Sequence, residues 1–182
     1  MLVSRTGYTG ELGFELYFRG DEQYACSLWD ALMKHGNEYL VKPCGLGSRD
    51  SLRLEMGFCL YGNDIDQNTN PLEAGLGWIT KLKKPSFTGK DALVKIKEAG
   101  LTRKLTPVVC LEKSFPRPGY EVFAGDKPVG KLTSGTVSPM LEKGIALAYV
   151  DADTLKNEEK LDMVIRGNRI PLQVTNLPFI KK

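Results

Sequence analysis

The stretch YEVFAGDKPVGKLT, residues 120–133, holds two short β-rich runs, Tyr120 to Ala124 and Val129 to Thr133, on either side of Gly125-Asp126. A Gly-Asp pair between such runs is compatible with a tight hairpin connection, because glycine adopts the positive φ that these turns require. The pattern repeats outward from there. Further runs lie at Pro107 to Leu111, Ile145 to Val150, Asp162 to Arg166 and Arg169 to Thr175, with Gly167-Asn168 as a second compatible hairpin connection. No convincing helix stands out between Thr102 and Lys182. Short strands at this spacing predict a small antiparallel β-barrel or jelly-roll sandwich of about 80 residues.

Before Thr102 the character is different. Phe14 to Phe18 is β-rich, and Asp21 is placed to cap a helix running to His35, with Gly36 where a terminating glycine belongs. Ala25, Leu28, Trp29, Leu32 and Met33 recur at helical spacing and read as a core-facing stripe. A second helix is expected from about Gly45 to Glu55, closed by Gly57, and a third from about Lys90 to Ala99, ending at Gly100. Phe58 to Tyr61 and Leu76 to Leu82 read as strands. The chain is therefore expected to be α+β, with a mixed region over 1–101 and a barrel domain over 102–182.

Composition narrows the function classes. The 182 residues carry 25 Lys+Arg against 22 Asp+Glu, a formal charge of +3, with 42% hydrophobic and 26% charged residues. This is ordinary globular usage, which excludes collagen-like, disordered and disulfide-scaffold classes. A charge this small is no footprint for nucleic acid, so no nucleic-acid partner is expected. No apolar run approaches the roughly 18 residues of a membrane span, so no membrane partner is expected either. Cys26, Cys44, Cys59 and Cys110 form no CxxC pair and read as free thiols in a reducing compartment. His35 is the single histidine, beside a helix-terminating glycine, so neither a His-based nucleophilic triad nor a multi-His metal site is expected, and no metal is assigned. Gly45-Leu46-Gly47 follows Pro43 rather than a strand and lacks the third glycine of a dinucleotide fingerprint. Met1 to Glu15 runs directly into patterned sequence with no leader, which reads as a chain beginning in the middle of something larger.

Two segments exceed a purely structural account. In Arg5-Thr6-Gly7-Tyr8-Thr9-Gly10-Glu11-Leu12-Gly13-Phe14-Glu15, glycines bracket a tyrosine and two carboxylates, and glycine allows close approach of a ligand to the backbone. Glu15, entering a strand between Phe14 and Leu16, points to the face opposite both neighbours. It is either solvent-exposed or aimed at a partner with paired N–H donors. The second segment is Gly45-Leu46-Gly47-Ser48-Arg49-Asp50-Ser51-Leu52-Arg53-Leu54-Glu55-Met56-Gly57, continuing into Leu60-Tyr61-Gly62-Asn63-Asp64-Ile65-Asp66. Arg49 and Arg53 are four apart and share a helix face. They form either a salt-bridged amphipathic face or, in one cleft with Glu15, a polar binding site, since guanidinium is the planar donor suited to carboxylates and heteroaromatic rings.

Those residues resemble the T-protein of the glycine cleavage system, the tetrahydrofolate-dependent aminomethyltransferase family. Gly7-Tyr8-Thr9-Gly10-Glu11 with Gly13-Phe14-Glu15, Gly47 to Glu55, and Leu60 to Asp66 carry the resemblance. Gly77-Trp78, Thr133-Ser134-Gly135 with Ser138-Pro139, Ile145-Ala146-Leu147-Ala148 and the terminal Pro178-Phe179 extend it along the whole chain. Ser48 departs from the family, which more often has Ala there.

The resemblance implies transfer of a methylene unit from the aminomethyl-lipoyl arm of H-protein to tetrahydrofolate, with release of ammonia. It implies that Glu15 and Arg49 match the family's folate-contacting glutamate and arginine, and that Tyr8 matches a tyrosine near the same pocket. Arg53, Asp50 and Tyr61 read as structural supports. The family enzyme is longer, its domains form a cloverleaf around the folate, and its catalytic aspartate lies in the N-terminal half. No catalytic residue is therefore assigned in this chain, which matches the C-terminal half. Residues 1–101 correspond to later, incomplete segments of the α/β folate-binding domains, and 102–182 to the barrel. On this reading the chain is a truncated or short product with little activity alone, and its unpartnered apolar surface promotes self-association. The resemblance puts it in bacterial cytoplasm or the mitochondrial matrix. Two other readings stay open: a non-catalytic folate-binding or regulatory module, and the folate domain of a dimethylglycine or sarcosine dehydrogenase. The cysteine-containing K-G-C-Y-x-G-Q motif of folate-binding relatives in iron–sulfur assembly and tRNA modification is missing.

Overall fold

The computed structural model describes residues 1–157 and 159–181. Glu158 and Lys182, the latter the expected end of the barrel domain, lie outside the described residues. The chain forms two compact units, Met1–Arg53 and Leu54–Lys182.

In the first unit, β1 (Leu2–Ser4) pairs antiparallel with β2 (Glu15–Tyr17), placing Ser4 opposite Glu15 and Leu2 opposite Tyr17. Helix α1 (Glu22–Gly36) starts where Asp21 caps it, its carboxylate accepting from the Tyr24 N–H at 2.9 Å. Gly36 is the last helical residue rather than the stop. A short 3₁₀ turn over Asn37–Tyr39 follows, and the chain reverses at Leu40, whose φ is +57°. The stripe expected to be a core face is not one: α1 has no buried residue, and Trp29 and Leu32 are exposed. Its spacing is helical, but spacing alone does not supply a partner surface. Helix α2 (Leu46–Glu55) forms as expected and ends where Gly57 takes φ +73°.

In the second unit, α3 (Lys90–Ala99) also forms as expected. Six strands then close into an antiparallel barrel: β3 (Arg103–Cys110), β4 (Glu121–Ala124), β5 (Lys127–Ser138), β6 (Lys143–Asp151), β7 (Leu161–Ile165) and β8 (Asn168–Val174), in the order β3-β6-β5-β4-β7-β8. Closure comes from β8 pairing with β3 through Val174 to Val108 and Leu172 to Cys110. Gly125, at φ +57°, turns the β4–β5 hairpin as expected. The β7–β8 turn sits one residue earlier than Gly167-Asn168: Arg166 and Gly167 both take positive φ, the demand of a type I′ turn.

Two other expectations are corrected here. Phe58 to Tyr61 and Leu76 to Leu82 are irregular segments and turns rather than strands, with an isolated bridge between Tyr61 and Ile65. A five-residue helix, α4 (Ala152–Lys156), interrupts the all-β region between β6 and β7. By internal contacts the two units divide at Arg53 and Leu54, with residues 54–101 clustering with the barrel.

The reason lies in β6, whose Ile145 to Val150 are all buried. Ala146, Ala148 and Val150 fill the barrel interior with Val108, Val122, Leu132 and Met163. Ile145, Leu147 and Tyr149 point outward and pack with Leu54, Leu105, Cys59 and Phe179. A strand buried on both faces reads as a continuous apolar run, and its outer face must be covered by something.

Candidate functional site

Glu15 sits in β2 and Tyr8 in the glycine-rich connection from β1, while Arg49 lies on the second turn of α2. The Arg49 guanidinium lies over the Tyr8 ring, 4.3 Å from its centroid, a cation–π placement. Glu15 is held separately. Its Oε2 accepts from the Thr6 hydroxyl and, at 3.2 Å, from the Tyr17 hydroxyl. No hydrogen bond or ring contact joins Glu15 to Tyr8 or Arg49 among the described residues. Thr6 and Tyr17 were not singled out from the sequence. Strand periodicity carries the signal, since Glu15 and Tyr17 are two apart in β2 and so share a face.

Arg53 is buried, and its Nε donates to Asp50 at 2.8 Å within α2. Its ion pair with Asp50 fits the expected supporting role for both residues. Tyr61, expected to support as well, is 71% exposed in the 60–65 turn. That turn is anchored through the residue three positions on. Buried Asp64 accepts from the Leu60 N–H at 2.8 Å, from Thr133 Oγ1 at 2.5 Å and from Ser134 Oγ at 2.8 Å, and its carbonyl accepts from Tyr149. Glu55 is buried likewise. Its Oε1 accepts from Ser138 Oγ at 2.5 Å and from the Met140 N–H at 3.1 Å. The Asp64 carboxylate and Glu55 Oε1 thus fix residues 54–66 to β5 and its exit.

A third cluster ties residues 73 and 103. Arg103 Nε donates to Glu73 at 2.9 Å, and its guanidinium lies 4.4 Å from the Tyr149 ring centroid. Burial pushes the Glu73 carboxyl up, but the hydrogen bonds from Arg103 and the Asn70 N–H, with the guanidinium charge, outweigh it and hold the group below its ordinary value. The same hydrogen bond raises Arg103. Burial pushes the Tyr149 phenol up to about 12. Burial also pushes the Cys110 thiol up, the reverse of what an activated cysteine needs. These groups read as structural. Among the described residues no group of three His, Cys, Asp or Glu side chains could hold a metal ion, and no helix is long and apolar enough to cross a membrane.

Comparison with known proteins supplies the family. Residues 1–84 match the profile described as "GCVT N-terminal domain" and residues 103–181 that of "Glycine cleavage T-protein C-terminal barrel domain". An aminomethyltransferase from Halothermothrix orenii is 51% identical over 180 residues, covering 99% of this chain and 50% of that protein. One from Symbiobacterium thermophilum is 46% identical, covering 100% and 48% respectively. The solved structure of the glycine cleavage system aminomethyltransferase T from Bartonella henselae matches with a TM-score of 0.86 and 32% identity, covering 98% of this chain and 49% of that one. The chain spans about half the length of the curated relatives it matches. With both profiles matched in order and the closed barrel in place, the chain belongs to the glycine cleavage T-protein family, the aminomethyltransferases.

Proposed function

We propose that this chain carries part of the tetrahydrofolate site of an aminomethyltransferase, with Glu15, Arg49 and Tyr8 as its ligand-contacting residues. The observation that carries the reading is the state of Glu15. One carboxylate oxygen is saturated by Thr6 and Tyr17 while Oε1 takes no hydrogen bond among the described residues, which suits a ligand bringing N–H donors. The pterin edge presents such donors at N3 and the 2-amino group. Arg49, planar and braced on Tyr8, offers N–H donors to the remainder of the ligand. Bound tetrahydrofolate supplies the nitrogens that accept the one-carbon unit; the protein's own residues bind and orient it.

The partner on this reading is the lipoylated H-protein, which delivers the aminomethyl group as ammonia leaves. The cellular setting is the bacterial cytoplasm or the mitochondrial matrix. Residues 1–101 stand for the later segments of the folate-binding domains and 102–182 for the barrel. The catalytic aspartate implied by the family has no counterpart here, so the chain alone turns over little or nothing. Its exposed apolar side chains in residues 1–53 favour self-association.

Turnover of aminomethyl-lipoyl H-protein with tetrahydrofolate, followed by ammonia release, tests this. The expected result is a rate far below that of a full-length relative, restored when the rest of the family's length is present. A rate equal to the full-length enzyme from this chain alone contradicts the division of the site.

A further inference from the structure

Resting on the folate reading of Glu15, we propose that Thr6 and Tyr17 are positioning residues that aim the Glu15 carboxylate, so that a single oxygen, Oε1, reads the ligand's N–H donors. The register of the two-stranded sheet creates the arrangement. Ser4 pairs with Glu15 across β1 and β2. Thr6 lies two residues beyond Ser4, and its Oγ1 sits 3.1 Å from Ser4 Oγ. The single Thr6 proton goes to Glu15 Oε2, leaving the Ser4 hydroxyl to donate to the Thr6 oxygen. Tyr17 shares a strand face with Glu15 and donates to the same Oε2 at 3.2 Å.

A carboxylate oxygen has about two acceptor sites, so Oε2 is filled by this pair and Oε1 keeps both of its own. A free glutamate rotates about its terminal torsion with little preference, because that torsion is broad. Two donors on one oxygen remove that freedom and set the plane in which the other oxygen accepts. The consequence is specific. Rather than each oxygen taking one of the pterin donors, both donors converge on Oε1, and the fit depends on hydroxyls that never touch the ligand.

Titration calorimetry of tetrahydrofolate into the chain, with Thr6→Val, Thr6→Ser and Tyr17→Phe as variants, tests this. Thr6→Val is expected to raise Kd about tenfold, the scale of one hydrogen bond to a charged group. Tyr17→Phe, at the longer contact, raises it less, and Thr6→Ser, which keeps the hydroxyl, stays within about twofold of wild type. A purely structural role would not move the second readout: the penalty for deleting the pterin 2-amino group shrinks in Thr6→Val, because the oxygen that reads it is no longer aimed. The carbon-13 shift of the Glu15 carboxyl in the free chain reports the same loss without ligand. If wild type binds and Thr6→Val binds equally well with the same 2-amino penalty, the positioning role is overturned while the folate reading stands. If wild type does not bind at millimolar ligand, the folate reading itself falls and takes this inference with it.

Discussion

Residues 1–53 and residues 54–181 are built on opposite principles. In the first stretch a single residue, Arg53, is buried, while every buried hydrophobic residue among the described ones lies at Leu54 or beyond. The first stretch holds its shape through local devices: the Asp21 cap, a three-residue strand pair and the Arg49–Tyr8 stack. The second is held by burial on both faces of β6 and by two carboxylates locked into β5 and its exit. The proposed ligand residues all sit in the first. Ligand-binding segments are commonly drawn from the less stable end of a structure, and here the contrast is sharp.

The largest expected effect comes from emptying the better-packed region. Leu147→Ala removes a fully buried side chain from the outer face of β6 and should cost about 2–5 kcal/mol, measured by urea unfolding. Leu32→Ala on α1, at an exposed position, should stay within about 0.5 kcal/mol by the same measurement. Equal losses at the two positions would break the comparison.

Next in size is Asp64→Ala. It strips the acceptor from Thr133, Ser134 and the Leu60 N–H at once and should cost about 2–3 kcal/mol, with the 60–65 turn gaining rapid amide exchange. Retained protection in that turn would show that the barrel does not need this anchor to hold it.

The smallest effects are in pH dependence. The Glu73 carboxyl is depressed in the folded state, so its contribution is present above the ordinary glutamate value of 4.5 and is lost as pH falls through the folded value. Arg103→Gln should flatten the acid arm of stability below that point; an unchanged acid arm would remove Arg103 from the cause. Tyr149 has the opposite sign. Its folded value is raised to about 12 from 10.0, so its contribution is complete below pH 10 and is lost as pH rises from there toward 12. Tyr149→Phe should abolish that alkaline loss in a pH series of melting curves.

The barrel was legible because hairpin signals and strand-length apolar runs are local: each expected run from Pro107 onward overlaps an observed strand, with the ends shifted by a few residues. What packs on the outer face of β6 was not, because a run such as Ile145 to Val150 shows only that both faces are covered and not by which residues. Trp29 and Leu32 mark the converse: helical spacing identified a face, and nothing in the spacing states whether a partner lies against it. Tyr8, Glu15 and Arg49 rest on the resemblance, since their residue types alone leave a solvated face open. Tyr17 is legible from the period-two alternation that puts it on the Glu15 face of β2, whereas Thr6 needs the β1–β2 register, a pairing not written in either run alone.

On the proposed reading, Glu15 presents a carboxylate to tetrahydrofolate. Titration calorimetry of tetrahydrofolate into wild type and Glu15→Ala tests it most directly. Saturable binding by wild type is expected, weakened at least about tenfold in the variant, the scale of losing a charge-assisted contact. Equal binding by the two proteins would contradict it.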